Sequence, residues 1–219
     1  MSETAQETSS RYVHDIVPQL NSGDVLSHDE YLRRYEAAPE KLKAERINGR
    51  VYLMNALRAT THGDPHSILN FWLSTYAMHA PNLVVSDNAT VFLGSDHEPQ
   101  PDLCMRQQVG GSTHLNHEGY LVGPPELIVE IAGSSASYDF GEKREVYEAA
   151  GVGEYLIFET LEGRIEWWHH DGNQFIAAPR DADVFKGVTF PGLWLDGDAF
   201  RAGDRFRLTE TLQRGIQSV

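Results

Sequence analysis

Glu130 stands where a carboxylate is costly, inside the apolar run Glu126-Leu127-Ile128-Val129-Glu130-Ile131. Such a run reads as a strand buried on both faces. Side chains alternate along a strand, so Glu130 shares a face with Ile128 and Glu126, while Leu127, Val129 and Ile131 point the other way. An ionised carboxylate there costs about several kcal/mol unless it is paired or metal-bound. A strand-end glutamate reaching water, or a structural salt bridge, is the plainer account; burial favours chemistry. Asp102 closes Pro99-Gln100-Pro101-Asp102 and opens a second β-rich run, so two strand acids are candidates to converge. Pro-Asp is also a common turn pair.

Lys143 follows Asp139 by four residues, on the first turn of the helix expected after the Glu130 strand. A lysine there can orient or acidify an attacking water and offset charge on a pentavalent phosphate. The competing reading is a solvated helix lysine paired with Glu142. His66 lies near the start of another expected helix, and His62 precedes it by four residues. That spacing occurs in helical zinc sites, yet Pro65 intervenes and no HExxH glutamate is present, which argues against a zinc hydrolase. His66 could face the site or a phosphate, although a surface or capping role suffices for it on this reading. The loop histidines His114, His117, His169 and His170 receive no role.

The elements that must position these residues follow from local signals. Ser27-His28-Asp29-Glu30 fits a capping box, starting a short helix that runs toward Pro39. Asn48-Gly49 between Glu45-Arg46-Ile47 and Arg50-Val51-Tyr52-Leu53 is the strongest local signal for a tight hairpin. Asp64-Pro65 starts a helix carrying Ile68, Leu69, Trp72, Leu73 and Tyr76 at helical spacing. Strands are expected at 83–86, 90–93, 102–105 and 126–131, with a polar loop over 107–118. Asp139 and Glu142 read as a second capping box for a helix ending at Gly151. Two more strands, 154–159 and 164–168, are joined by a Glu-Gly turn, and Asp171-Gly172 suggests a further hairpin. Trp167 and Trp168 then face opposite ways, one to the core and one to a dimer or sheet contact.

The chain of 219 residues divides on this reading into a polar N-terminal arm (1–26), one α/β domain (27–200) and a C-terminal tail with a short helix (201–219). No long segment is free of charge, so no membrane span is expected. The first ten residues lack a basic start and an apolar run, which points to a cytoplasmic protein. Cys104 is the one cysteine, so no internal disulfide or thiolate zinc cluster can form. A formal charge of −14 has the wrong sign for gripping nucleic acid over the whole surface, leaving room only for a local basic strip.

Taken in order, Glu45-Arg46-Ile47-Asn48-Gly49, His66, Pro101-Asp102, Glu126 to Ile131, Asp139, Lys143, Tyr147, Gly151-Val152-Gly153-Glu154-Tyr155 and Gly192-Leu193-Trp194-Leu195 carry a resemblance. Over roughly residues 27–200 the chain resembles the Uma2 family of putative restriction endonucleases, within the PD-(D/E)xK nuclease superfamily. The resemblance implies a restriction-endonuclease-like fold, a mixed central sheet flanked by helices. It implies a divalent metal held by Asp102 and Glu130, Glu45 as a further acid, and Lys143 in the role of the motif lysine. The chain departs from the superfamily pattern at Ala132, where a lysine is expected two residues after Glu130.

The resulting expectation is a Mg2+- or Mn2+-dependent endonuclease acting on nucleic acid, DNA ahead of RNA, with Asp102, Glu130, Lys143 and Glu45 catalytic and a homodimer favoured. The other reading is a nuclease-like fold that has lost catalysis and serves as a binding or regulatory module, favoured by Ala132 and the −14 charge.

Overall fold

The computed structural model describes residues 17–39, 42–54 and 56–219; most of the expected N-terminal arm, 1–16, lies outside them. Helix α1 (His28–Glu36) starts at Ser27, whose Oγ accepts the Glu30 N–H. Only half of the expected capping box forms, because the Glu30 carboxylate is taken by Arg33 and Arg34. Strands β1 (Ala44–Ile47) and β2 (Arg50–Leu53) make the hairpin, with Asn48 and Gly49 at φ 50° and 73° as the turn requires.

A π-helical turn (Ala59–Gly63) runs directly into α2 (Asp64–Ala77). Asp64 is therefore inside the helix rather than its cap, since the residue before it is already helical. Next come β3 (Leu83–Asp87), β4 (Val91–Phe92), β5 (Leu103–Gln107), β6 (His114–Leu115), β7 (Leu121–Val122) and β8 (Leu127–Ala132). The segment expected as a polar loop thus contributes β6, which pairs with β7.

After β8 the chain makes one helical turn, α3 (Ala136–Tyr138), a second π turn (Asp139–Lys143), and α4 (Arg144–Ala150). Asp139 is not an N-cap: the chain is already helical before it, and its carboxylate accepts the Ser135 hydroxyl. Gly151 does close α4 in the left-handed region, φ 79°. Strands β9 (Glu154–Glu159), β10 (Arg164–His170), β11 (Phe175–Ala177), β12 (Arg180–Asp181), β13 (Val184–Lys186) and β14 (Trp194–Asp196) precede α5 (Gly197–Arg201) and α6 (Arg205–Ile216).

The fold is mixed α/β. Its central sheet has the order β11-β10-β9-β8-β5-β3, with β8 and β9 parallel and the other pairs antiparallel. One face presents Leu103, Met105, Leu127, Val129, Ile131, Leu156 and Phe158 to α2 and α6. C-terminal Leu208 and Leu212 belong to this core. The other face presents Cys104, Ile128, Ala132, Tyr155 and Ile157 to Val146 and Tyr147 of α4 and to Ile47 of β1. Helices or strands cover both faces, which explains why β8 reads as one apolar run. Trp167 enters the first core, whereas Trp168 lies under Arg144 and stacks on Tyr155 within the chain. No helix among the described residues is long and apolar enough to cross a membrane.

The parallel β8/β9 register, Glu130 opposite Ile157, depends on a close approach at Gly153. A Cβ there would lie 2.6 Å from the Glu126 carbonyl oxygen, a backbone atom that cannot swing aside. Gly153→Ala should lose about 1–3 kcal/mol, read as a lower urea midpoint at unchanged slope. An unchanged midpoint would show that the two strands do not approach as described.

Candidate active site

Strands β5 and β8 pair with Leu103 opposite Val129 and Cys104 opposite Ile128, and the same register one step further sets Asp102 opposite Glu130. Residues directly opposed in an antiparallel pair share a face, so both acids project from the α4 side of the sheet. Glu130 is buried, as burial of the whole of β8 demands.

Lys143 answers it. The π turn ends at this residue and sends its side chain, 3% exposed, down onto the strand. Its Nζ lies 2.6 Å from Glu130 Oε1, 3.2 Å from Glu45 Oε2 and 3.7 Å from Asp139 Oδ1. Tyr147, one turn on along α4, donates its hydroxyl to Glu130 Oε1 at 3.0 Å. Glu45 arrives from the β1–β2 hairpin, where its Oε2 also accepts the Gln100 N–H. Glu142 locks hairpin and π turn together, accepting from Asn48 Nδ2 at 2.7 Å and from the Tyr52 hydroxyl at 2.9 Å.

Asp102 is held separately. Its Oδ2 accepts the Ile131 N–H at 2.8 Å, and its Oδ1 lies 3.1 Å from His62 Nε2. The structure therefore brings Glu45, Glu130 and Lys143 into direct contact and places Asp102 beside Glu130 on the neighbouring strand. His66 reaches Asp87 Oδ1 and the Asp102 carbonyl oxygen, each at 3.2 Å.

The electrostatics are one-sided, since Glu45, Glu130 and Asp139 are buried around one ammonium and Asp102 is buried on the neighbouring strand. Burial, reinforced by Asp102, Asp139 and Glu45, pushes the Glu130 carboxyl well above its usual range against the pull of Lys143. Burial likewise raises Asp139. Burial alone would drive Lys143 toward neutrality, but Glu130 and Glu45 outweigh it and hold the amine well above its usual value. The hydrogen bond to Asp102 raises His62.

Burial of an excess of carboxylates calls for protons or a cation. The donors are all oxygen, which suits Mg2+ or Mn2+, and Glu45 Oε1 is buried without a hydrogen-bond partner among the described residues. On donor chemistry the residues fit a hard divalent ion. Among the described residues no three His, Cys, Asp or Glu side chains already stand in ligand geometry, because Glu45, Glu130 and Asp139 converge on Lys143 instead.

Three participants were not assigned these places from sequence. Asp139 resembles a cap, although its spacing to Lys143 carried the signal of an i,i+4 pair. Tyr147 offers no local signal beyond its helical spacing from Lys143. His62 shows in sequence only the spacing of a zinc pair with His66, while its partner Asp102 is forty residues away in the chain.

The model of the Uma2 family, described as "Putative restriction endonuclease", matches residues 28–198. A solved structure from Anabaena variabilis, a putative nuclease belonging to DUF820, superposes with a TM-score of 0.63 at 12% identity, covering 78% of this chain and 97% of that one. At that identity the likeness is one of fold. No curated protein matches the sequence.

A carboxyl raised in the folded state keeps a proton that the unfolded chain releases near 4.5, so this group's contribution to stability falls as pH climbs from 4.5 through the folded value. Glu130→Gln removes that titration. The metal-free melting temperature of the variant, relative to wild type, should therefore rise as the pH climbs above 4.5. A difference that stays flat or shrinks would place the surplus charge elsewhere.

Proposed function

Since the chain belongs to the Uma2 family, we propose that it is a divalent-metal-dependent endonuclease that hydrolyses phosphodiester bonds of nucleic acid, DNA ahead of RNA. The observation that carries this reading is the Lys143 ammonium 2.6 Å from Glu130, on the face of the sheet that Glu130 shares with Asp102. Ala132 had suggested a lost motif lysine. Lys143 supports the alternative that the positive charge reaches the same carboxylate from the helix.

Asp102 and Glu130 would hold Mg2+ or Mn2+, with Glu45 as a further acid beside them. Such a cation, when bound, supplies charge neutralisation at a phosphate and a more acidic water. The chain's own groups account for the rest. Lys143, kept protonated by the cluster of acids around it, offers N–H donors and positive charge where a pentavalent phosphate develops negative charge. Burial, offset in part by Lys143, keeps the Tyr147 hydroxyl protonated, so it donates to Glu130 and fixes the plane of that carboxylate. Ile131 N–H does the same for Asp102. The Glu142 tie holds the hairpin acid and the lysine in one rigid unit.

The test is cleavage of plasmid or single-stranded oligonucleotide with Mn2+, at low salt because the −14 charge weakens nucleic-acid binding and screening of a local basic strip weakens it further. Lys143→Met should slow cleavage by about two orders of magnitude or more while Mn2+ binding persists, since the amine is no ligand. Asp102→Asn should lose both. Unchanged turnover in Lys143→Met removes the lysine from the mechanism, and no turnover by wild type on any nucleic acid favours the binding-module reading.

A further inference from the structure

We propose that His62 and His66 are positioning residues for Asp102, gripping it from the π turn and the first turn of α2 so that its carboxylate is pre-set for a divalent cation. The inference rests on the metal-site reading above and adds a part to it. Their rings lie nearly parallel, 18° apart, with centroids 5.8 Å from each other. His62 Nε2 faces Asp102 Oδ1 at 3.1 Å, and His66 Nε2 lies 3.2 Å from the main-chain oxygen of the same residue. The same Nε2 lies 3.2 Å from Asp87 Oδ1 on β3, so its one N–H is shared between the two oxygens.

With Ile131 N–H on Oδ2, both carboxylate oxygens of Asp102 have a partner, and its carbonyl has two, His66 and the Asn88 N–H. The plane of the carboxylate is therefore defined before any ligand arrives. A side chain that only ended a loop would need one such bond. The side chains of His62 and Asp102 are 14% and 13% exposed, so the contact is sheltered from water, where a hydrogen bond to a charged group is worth most.

The segment that delivers His62 is otherwise open: Ala56 to Thr61 are exposed, including Leu57. His62 ties it to the site through Asp102. The i,i+4 spacing that places two imidazoles on one side of a helix here serves an aspartate rather than a zinc ion. The π turn widens the backbone by one residue just where His62 must lean toward β5.

Manganese binding to the full chain, followed by calorimetry and by the electron paramagnetic resonance signal of free Mn2+, separates positioning from simple anchoring. His62→Leu should weaken Mn2+ affinity by about tenfold to a hundredfold, the usual loss when the support of a ligand is removed. His62→Gln places an amide N–H near the position of Nε2 and should stay within about threefold of wild type. His62→Asn, equally polar but shorter, should resemble the leucine variant. Anchoring alone would instead lower the metal-free melting temperature of all three and leave Mn2+ affinity of the folded protein unchanged, which overturns the proposal. Wild-type affinity in His62→Leu overturns it too, with the metal site intact. Failure of wild type to bind Mn2+, or binding unaltered by Asp102→Asn, overturns both the metal-site reading and this one.

Discussion

The Lys143 ammonium sits among carboxylates that come from three different parts of the chain: Glu45 on β1, Glu130 on β8 and Asp139 at the start of its own π turn. Charges taken this far out of water are tolerated only when each has a partner, and removing one partner of a buried pair typically costs about 3–5 kcal/mol. The hairpin, the central strand and the helix after it must therefore meet at one point. Much of the surrounding structure serves that meeting: Glu142 bonds the hairpin to the π turn, Tyr147 bonds α4 to Glu130, and Gly153 lets β9 close on β8. Neutralisation is incomplete, since carboxylates outnumber the ammonium and Glu45 Oε1 has no hydrogen-bond partner among the described residues. That surplus negative charge, packed around a fixed ammonium, is what the proposed metal site rests on.

Position 132 has a physical explanation in the same arrangement. It lies two residues beyond Glu130 on the same face, fully buried in the cluster with Ile128, Tyr155 and Ile157. A methyl group fits there. The ammonium comes from the helix side instead, and the wider π turn is the local device that brings Lys143 over the strand. A motif measured along the strand misses such a residue, because Lys143 reaches Glu130 through space from thirteen residues further along the chain.

Features that depend on neighbours in sequence were readable. Asn48-Gly49 specified the hairpin through its positive φ values, Gly151 specified the end of α4, and the apolar run around Glu130 announced a strand covered on both faces. Glu130 itself was legible as a carboxylate in need of a partner, and Lys143 as a candidate for one. Long-range pairings were not: the Asp102–His62 contact and the opposed register of β5 and β8 appear only when the sheet is assembled. Both π turns were hidden as well, since Asp64 and Asp139 carry the side chain of a helix cap but lie within segments that are already helical. The C-terminal stretch taken as a tail supplies Leu208 and Leu212 to the core, a role that its mixed polar composition obscures.

Asp102 and Glu130 acting together as ligands of one cation is the claim on which the functional account stands, and anomalous scattering from a crystal equilibrated with Mn2+ tests it without reference to any substrate. The account predicts a manganese peak within about 2–2.6 Å of a carboxylate oxygen of both residues. A peak bound elsewhere on the chain, or none between the two carboxylates at saturating Mn2+, contradicts it.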